Sequence, residues 1–251
     1  MRLRVELNSQ KNLFSLPLAY NHHLASFIYH SLSLASPSYS SFLHQEGYQR
    51  FKFFTFSQLL IPERKIQGER LIGRPPLTFL VSSPFAEFLV NFVSGLLKQS
   101  EIKLCGETFT LSRVEVLPEP EFHQEMTFSC LSPLVVSRGV KKEGKLRAEY
   151  VGFDDHDFPR LMQRNLLRKY LAWKGSEPPD SSLDFKFDLD YVKKRGGEVY
   201  RLVDFKGTKI KGIMAPFKVW GSSELIRLGY EAGFGEKNSL GFGMVETIQR
   251  E

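Results

Sequence analysis

Gly229-Tyr230-Glu231-Ala232-Gly233-Phe234-Gly235-Glu236-Lys237-Asn238-Ser239-Leu240-Gly241-Phe242-Gly243-Met244-Val245 is the stretch from which the rest of the chain can be read. Two Gly-Phe-Gly triplets, 233–235 and 241–243, bracket a polar segment carrying Lys237, Asn238 and Ser239. Glycine is costly in regular structure and is used where the backbone needs positive φ or a close neighbour. Glycines at this density around one lysine predict a backbone-built loop able to receive an anion, because successive N–H groups make concave anion sites. Residues 222–232 before it read as a short helix, and 244–248 after it as a strand. A dinucleotide fingerprint would follow a strand and open a helix. The order here is the reverse, so this is not that motif.

Outward from this loop, the chain reads as a repeated element order. Residues 2–7 alternate polar and apolar, as a half-buried strand does. A helix starts near Asn21, an N-cap candidate, and Leu24, Phe27, Ile28, Ser31 and Leu32 share its inner face. Pro37 ends it, and 39–44 predicts a second short helix. The phenylalanine-rich 51–60 reads as a strand, 67–74 as a bend and 77–81 as a returning strand. Ser83 and Pro84 suit the start of the clearest helix, whose stripe is Phe85, Phe88, Leu89, Phe92, Leu96 and Leu97. A strand over 107–117 completes β-α-β-β-α-β, the split ferredoxin-like order. Pro118-Glu119-Pro120 favours an extended linker. Beyond it stand a strand at 127–131, a loop or hairpin through 147, and a helix over 158–173. Strands at 183–192, 199–205 and 209–219 follow, with Lys193-Lys194-Arg195-Gly196-Gly197 read as a hairpin tip. The expectation is an α+β protein of two tandem ferredoxin-like (RRM-like, βαββαβ) domains, 1–120 and 121–251. No sequence repeat supports the second unit, which rests on element order.

Composition narrows the class. The chain has 251 residues, 42% of them hydrophobic, and a formal charge of +6. That suffices for one large or two small cores, and the excess charge favours an anionic partner. Cys105 and Cys130 stand in no metal-ligand or redox spacing and read as buried apolar groups in a reducing, cytoplasmic setting. No apolar run approaches the ~20 residues that span a bilayer, and the N-terminus resembles no signal peptide. The histidines accompany no zinc-ligand pattern. Asp154-Asp155-His156-Asp157 reads as acidic residues capping a helix and complementing its dipole.

The loop, and then the first sixty residues, carry a resemblance. Gly-Phe-Gly, a five-residue segment with a lysine, and Gly-Phe-Gly again resembles the C-terminal glycine-rich loop of the CRISPR-associated repeat-processing endoribonucleases of the repeat-associated mysterious protein (RAMP) superfamily. Near the N-terminus that family often reads Leu-Pro-x-x-Tyr-Asn-His, a helix, a histidine, then Lys-x-Phe-Thr-x-Ser. Here stand Leu16-Pro17-Leu18-Ala19-Tyr20-Asn21-His22, then Tyr29, then His44, then Lys52-Phe53-Phe54-Thr55-Phe56-Ser57. The resemblance implies the same two-domain architecture, with Tyr29, His44 and Lys52 as the catalytic set. It implies CRISPR repeat RNA, precursor and product, as partner. Effector-complex subunits and a second copy of the chain are further candidates, and no cofactor or metal is expected.

Taken singly, each catalytic candidate has a plainer explanation. A tyrosine beside an apolar helical stripe is usually a core residue, a histidine on a surface turn usually does nothing, and a lysine opening a strand usually faces water. Together they supply a group that titrates near neutrality, a phenol and a cation, which metal-free RNA cleavage uses. His22 and His30 are rivals. RNA contacts are expected from Gly233, Gly235, Lys237, Asn238, Gly241 and Gly243, from Arg160, Arg164 and Arg168 on one helix face, and from Lys193, Lys194 and Arg195. Lysines at 141, 142, 145, 206, 209 and 211, with Arg147, crowd two further turns. The implied activity is metal-independent cleavage of precursor RNA within repeats by 2′-OH attack. The rivals are a fold that binds repeat RNA without cutting, and a structural RAMP subunit of an effector complex.

Overall fold

The computed structural model describes residues 1–142 and 144–248. The first unit runs β1 (Arg2–Asn8), β2 (Phe14–Pro17), α1 (Asn21–Ala35), α2 (Pro37–Gln45), β3 (Thr55–Phe56), β4 (Arg64–Gln67), β5 (Arg70–Gly73), β6 (Leu77–Ser82), α3 (Ala86–Leu97), β7 (Ile102–Leu104) and β8 (Glu107–Leu117). Its main sheet has the order β3-β6-β1-β8-β7. β1 is central, antiparallel to β6 on one side and β8 on the other. Its alternation puts Leu3, Val5 and Leu7 under the helices and leaves Arg4 in water. β2, β5 and β4 form a separate three-stranded sheet at the side.

The helices cover one face of the main sheet. Leu24, Phe27, Ile28 and Leu32 of α1 share a core with Phe88, Phe92 and Leu96 of α3. The two helices cross closely at Ser31 and Gly95, where any Cβ on residue 95 would overlap the Ser31 carbonyl. Burying each such Phe or Leu stabilises the fold by about 1.5–3 kcal/mol, so the aromatic wealth of 51–92 is spent mostly on this core.

The second unit runs β9 (Glu125–Cys130), β10 (Ser137–Lys142), β11 (Lys145–Tyr150), α4 (Phe158–Lys174), β12 (Leu183–Phe187), α5 (Leu189–Lys194), β13 (Tyr200–Phe205), β14 (Thr208–Ile213), β15 (Phe217–Gly221), α6 (Ser223–Ala232) and β16 (Val245–Thr247). Its sheet order, β12-β15-β9-β16, repeats the pattern of β3-β6-β1-β8. Two ferredoxin-like domains are therefore present. The second is decorated by two hairpins, β10–β11 and β13–β14. Among the described residues no helix is long and apolar enough to cross a membrane.

Several elements differ from the sequence reading. The 51–60 strand contracts to β3, because Phe53 has φ +50° and breaks the extended run. The 183–192 strand ends at Phe187. The Asp188 side chain accepts from the Tyr191 amide and starts α5, so Lys193 and Lys194 end a short helix and no hairpin tip exists there. The 209–219 strand divides around Pro216, which lies between β14 and β15 and has no N–H to pair. Asn21 is no cap; it is the first residue of α1, buried, and its Nδ2 donates to the Leu240 carbonyl at 3.2 Å. Nor does Ser83 cap α3, which starts at Ala86. Asp155 and Asp157 are held with Glu149 around Arg138, at 2.9, 3.5 and 2.9 Å respectively, so charge pairing replaces the expected capping. The Lys142 side chain, read above as one of the turn cations, lies outside the described part, as do Glu143 and residues 249–251.

Candidate active site

The site grows from the turn between α1 and α2. Ser36 is extended there, its amide donates to the Leu32 carbonyl at 2.8 Å, and its hydroxyl accepts from the Tyr39 amide. Pro37 then opens α2, where a missing N–H costs nothing. The Ser40 hydroxyl donates back to the Tyr29 carbonyl at 3.1 Å. This folds α2 onto α1 and brings His44, in the last turn of α2, edge-on to Tyr29 with ring centroids 5.5 Å apart. Tyr29 also packs edge-on to Phe54 at 5.6 Å.

Lys52 arrives from the following turn. Tyr48 and Phe51 exchange backbone hydrogen bonds of 2.8 and 2.9 Å, and Gln49 and Arg50 at the tip both have positive φ, 49° and 73°. Two such non-glycine residues in succession cost of order 1–3 kcal/mol each. Tyr48 stacked on Phe85 at 4.4 Å anchors the turn. The Lys52 ammonium thereby reaches the His44 carbonyl at 3.1 Å. The structure thus brings Tyr29, His44 and Lys52 together, although Lys52 lies in the loop before β3 and opens no strand. Of the rivals, the His22 ring lies tilted against that of His23 with centroids 3.7 Å apart, and its Nδ1 lies 3.2 Å from the Ala19 carbonyl. His30 lines a different cleft with His23 and Lys103.

Electrostatics separates the roles open to these groups. Burial pushes the Tyr29 phenol up to about 12, with the Ser239 side chain pulling it partly back. The phenol is therefore protonated at neutral pH. Burial lowers the Lys52 ammonium from its ordinary value. His44 stands exposed, open to a substrate.

Beside Lys52 opens a cleft of about 320 Å³ whose walls carry Arg50, Lys52, Arg168, Lys169 and Lys237. Arg168 lies over the Phe51 ring at 5.9 Å. Glu236, the acid in the lining, is occupied by the Ser137 amide and hydroxyl at 3.1 and 2.8 Å. Such a cleft suits a phosphate backbone. Arg164 is exposed on the same helix as Arg168, but Arg160 is held by Asp157 at 3.0 Å. Lys193, Lys194 and Arg195 do not line the cleft; Arg195 lies over Tyr191 at 5.5 Å.

The glycine-rich loop corrects its own reading. Gly233, Gly235, Gly241 and Gly243 are buried, and many of the loop's amides are spent internally. Phe234 N donates to Gly243 O, Glu236 N to Val135 O, and Gly243 N to Pro133 O. What the loop cradles is a cation. Lys169, 2% exposed on α4, donates to the carbonyls of Gly233 and Gly235 at 2.6 and 2.7 Å and to Asn238 Oδ1 at 2.7 Å. The half-buried part of the loop is its middle, where Lys237 has φ 60° and a short 3₁₀ turn, Asn238–Leu240, follows. Across the domain boundary Thr55 Oγ1 donates to Phe242 O at 2.8 Å, and the Arg2 guanidinium lies 3.9 Å over the Tyr230 ring.

Sequence reasoning passed over Lys169 and Arg50. Lys169 had a signal: it interrupts the stripe Leu161, Met162, Leu166 and Tyr170, where an apolar residue belongs. Burial pushes its ammonium down to about 7, with the Glu236 carboxylate opposing. The unfolded chain then binds more protons than the folded one above that value, so this residue's contribution to stability rises with pH until the unfolded lysine also titrates. The difference in Tm between wild type and Lys169→Met should accordingly grow from pH 7 to about 9.5. A difference that shrinks over this range would contradict the assignment.

Comparisons with known proteins identify the family. Residues 15–115 match the model for CRISPR-associated protein Cas6, N-terminal, and 117–247 match that for CRISPR associated protein Cas6, C-terminal. A CRISPR-associated endoribonuclease Cas6 of Methanocaldococcus jannaschii is 34% identical over 98% of this chain and 93% of its own length. The chain belongs to the Cas6 family. A second Cas6 relative, the CRISPR-associated endoribonuclease of Pyrococcus furiosus, is 29% identical over 98% of this chain and 88% of its own. Among solved Cas6 structures, that of a Cas6-related gene from P. furiosus superposes with a TM-score of 0.87 at 27% identity, covering 100% and 99% of the two chains. A RAMP protein described as binding different RNA substrates gives 0.85 at 27%, covering 99% and 100%.

Proposed function

We propose that this Cas6-family chain is an endoribonuclease that cuts CRISPR precursor RNA within its repeats. The observation that carries the reading is the meeting of Tyr29, His44 and Lys52 beside a cleft walled by cations. The ribose 2′-OH loses its proton and attacks the adjacent phosphorus. The bond to the 5′-oxygen breaks, and that oxygen takes a proton. The ends are a 2′,3′-cyclic phosphate and a 5′-hydroxyl. His44 moves one of the two protons. Tyr29, protonated in its buried setting, gives its proton to the leaving oxygen while His44 takes that of the 2′-OH. Lys52 offsets charge on the phosphorane. These side chains fill each role the reaction needs, so a metal ion is not required. Arg164, Arg168, Lys237 and Arg50 hold the backbone on either side of the cut. The buried glycines act through the shape they give the loop. The mature guide RNA produced, and any effector subunits that receive it, are the expected partners, in the cytoplasm.

A repeat RNA with 2′-deoxyribose at the cut site tests this. It should bind as the all-ribose RNA does and resist cutting, and the all-ribose RNA should be cut in excess EDTA. Cleavage of the deoxy substrate, or loss of activity with chelator, would overturn the mechanism and leave the family assignment standing.

A further inference from the structure

Most polar groups at the back of the cleft beside Lys52 are already bonded. Lys169 gives its ammonium protons to Gly233 O, Gly235 O and Asn238 Oδ1 at 2.6, 2.7 and 2.7 Å. The Asn238 amide donates to Phe234 O and Phe242 O at 3.2 and 3.0 Å, and Glu236 accepts from Ser137. Asn165 is the exception. It lines the same cleft from α4, one turn before Arg168 and Lys169, and its Oδ1 is buried without a hydrogen bond. Buried polar atoms in folded proteins are overwhelmingly paired, and asparagine inside a helix also gives up helix propensity. An apolar residue here would serve the fold better, so the missing partner points outside the chain.

The chemistry of that partner follows from the atom. A carbonyl oxygen only accepts and needs a donor. Phosphate oxygens also accept, and Arg50, Lys52, Arg168 and Lys237 supply the cations for them. The donors that RNA carries are base amino groups and the ribose 2′-OH. The Asn165 carboxamide presents an acceptor and a donor side by side, which matches an exocyclic amine next to a ring nitrogen, as in adenine or cytosine. Guanine and uracil carry a carbonyl where that amine stands. The end torsion of asparagine is broad, and Oδ1 breaks no hydrogen bond in turning to the cleft. The half-buried Phe51 ring lines the cleft too, and unstacked RNA bases stack on such rings. Arg168 stands 5.9 Å from that ring, against 3.9 Å for Arg2 over Tyr230, so it does not close on it.

We propose that Asn165 is a specificity-determining residue, its carboxamide reading the amine-bearing edge of one adenine or cytosine of the repeat in the cleft beside Lys52. The proposal rests on the reading of that cleft as the one that holds repeat RNA.

The test measures the affinity of the full chain for repeat RNAs kept uncut by 2′-deoxyribose at the cleavage site, with each nucleotide replaced in turn by the other three bases. At one position wild type should favour adenine or cytosine by about 5- to 150-fold, the range of one good bidentate base contact. The favoured base identifies which of the two is read. Its analogue without the amine, purine riboside or pyrimidinone riboside, should bind there as weakly as guanine and uracil. Asn165→Ala should level the four bases at that position and leave the melting temperature unchanged, because the oxygen it removes has no bond to lose. A ranking that survives the substitution, or a wild type that has none, would overturn the proposal. So would levelling accompanied by a fall in melting temperature, which would make Asn165 a residue of the fold. An equal loss for all four bases would place a ribose hydroxyl on Asn165 and overturn it as well. If the protein cuts no repeat RNA, the endoribonuclease reading falls, while the affinities, measured then on all-ribose RNA, still decide what Asn165 does.

Discussion

His44→Ala is expected to slow single-turnover cleavage of repeat RNA by about 10²–10⁴-fold, the range for a positioned acid–base group, with RNA affinity nearly unchanged. The effect should be chemical and not structural, for three reasons. The imidazole stands exposed, so its loss leaves no cavity. The start of α2 is fixed by Pro37 and Ser36, and its packing on α1 by the Ser40 hydroxyl, none of which involves the ring. Lys52 bonds to the main-chain carbonyl of His44, which alanine retains. A rate within about fivefold of wild type, in a variant with unchanged Tm, would remove His44 from the chemistry and return attention to Tyr29 and Lys52.

Gly243→Ala should destabilise the protein by about 3 kcal/mol or more, read as a shift of the urea midpoint at unchanged slope. Gly243 has φ +79°, where an L side chain is strained, and its Cβ would stand inside the Phe234 carbonyl oxygen and against the Asn238 amide. Both neighbours are fixed. Phe234 is fully buried among Phe128 and Phe217, and Asn238 is held by Lys169. The loop cannot yield without releasing that grip. Gly144, also at positive φ (75°) but with open space around it, should tolerate alanine with a loss near the conformational cost alone, about 1 kcal/mol. Equal losses at the two positions would mean that backbone strain, and not the close packing of the loop, sets the requirement for glycine.

The two domains were legible in the chain because their elements are long and periodic. α1 and α3 declare themselves through Leu24, Phe27, Ile28 and Leu32 and through Phe88, Leu89, Phe92 and Leu96, residues that the structure buries together. β1 does the same by alternation. Short-range competition blurred other elements. Phe53 at φ +50° cut a phenylalanine-rich strand down to β3, and Asp188 capped a helix inside an apparent strand. The choice of Tyr29, His44 and Lys52 came from resemblance, and only the α1–α2 turn shows why residues so spaced can touch.

What the sequence alone determined is local: the long periodic helices and strands, the βαββαβ order they follow, and that glycines must recur between 233 and 243. Those follow from periodicity and from the steric freedom of single residues. The polarity of the loop was decided only by tertiary structure. Glycine content is the same whether amides or carbonyls turn inward, and the residue that chooses is Lys169, on a helix more than sixty positions away. A buried ammonium needs three acceptors, and three carbonyl-type oxygens need a donor. Each satisfies the other only after the second domain has folded and its loop has closed on the first.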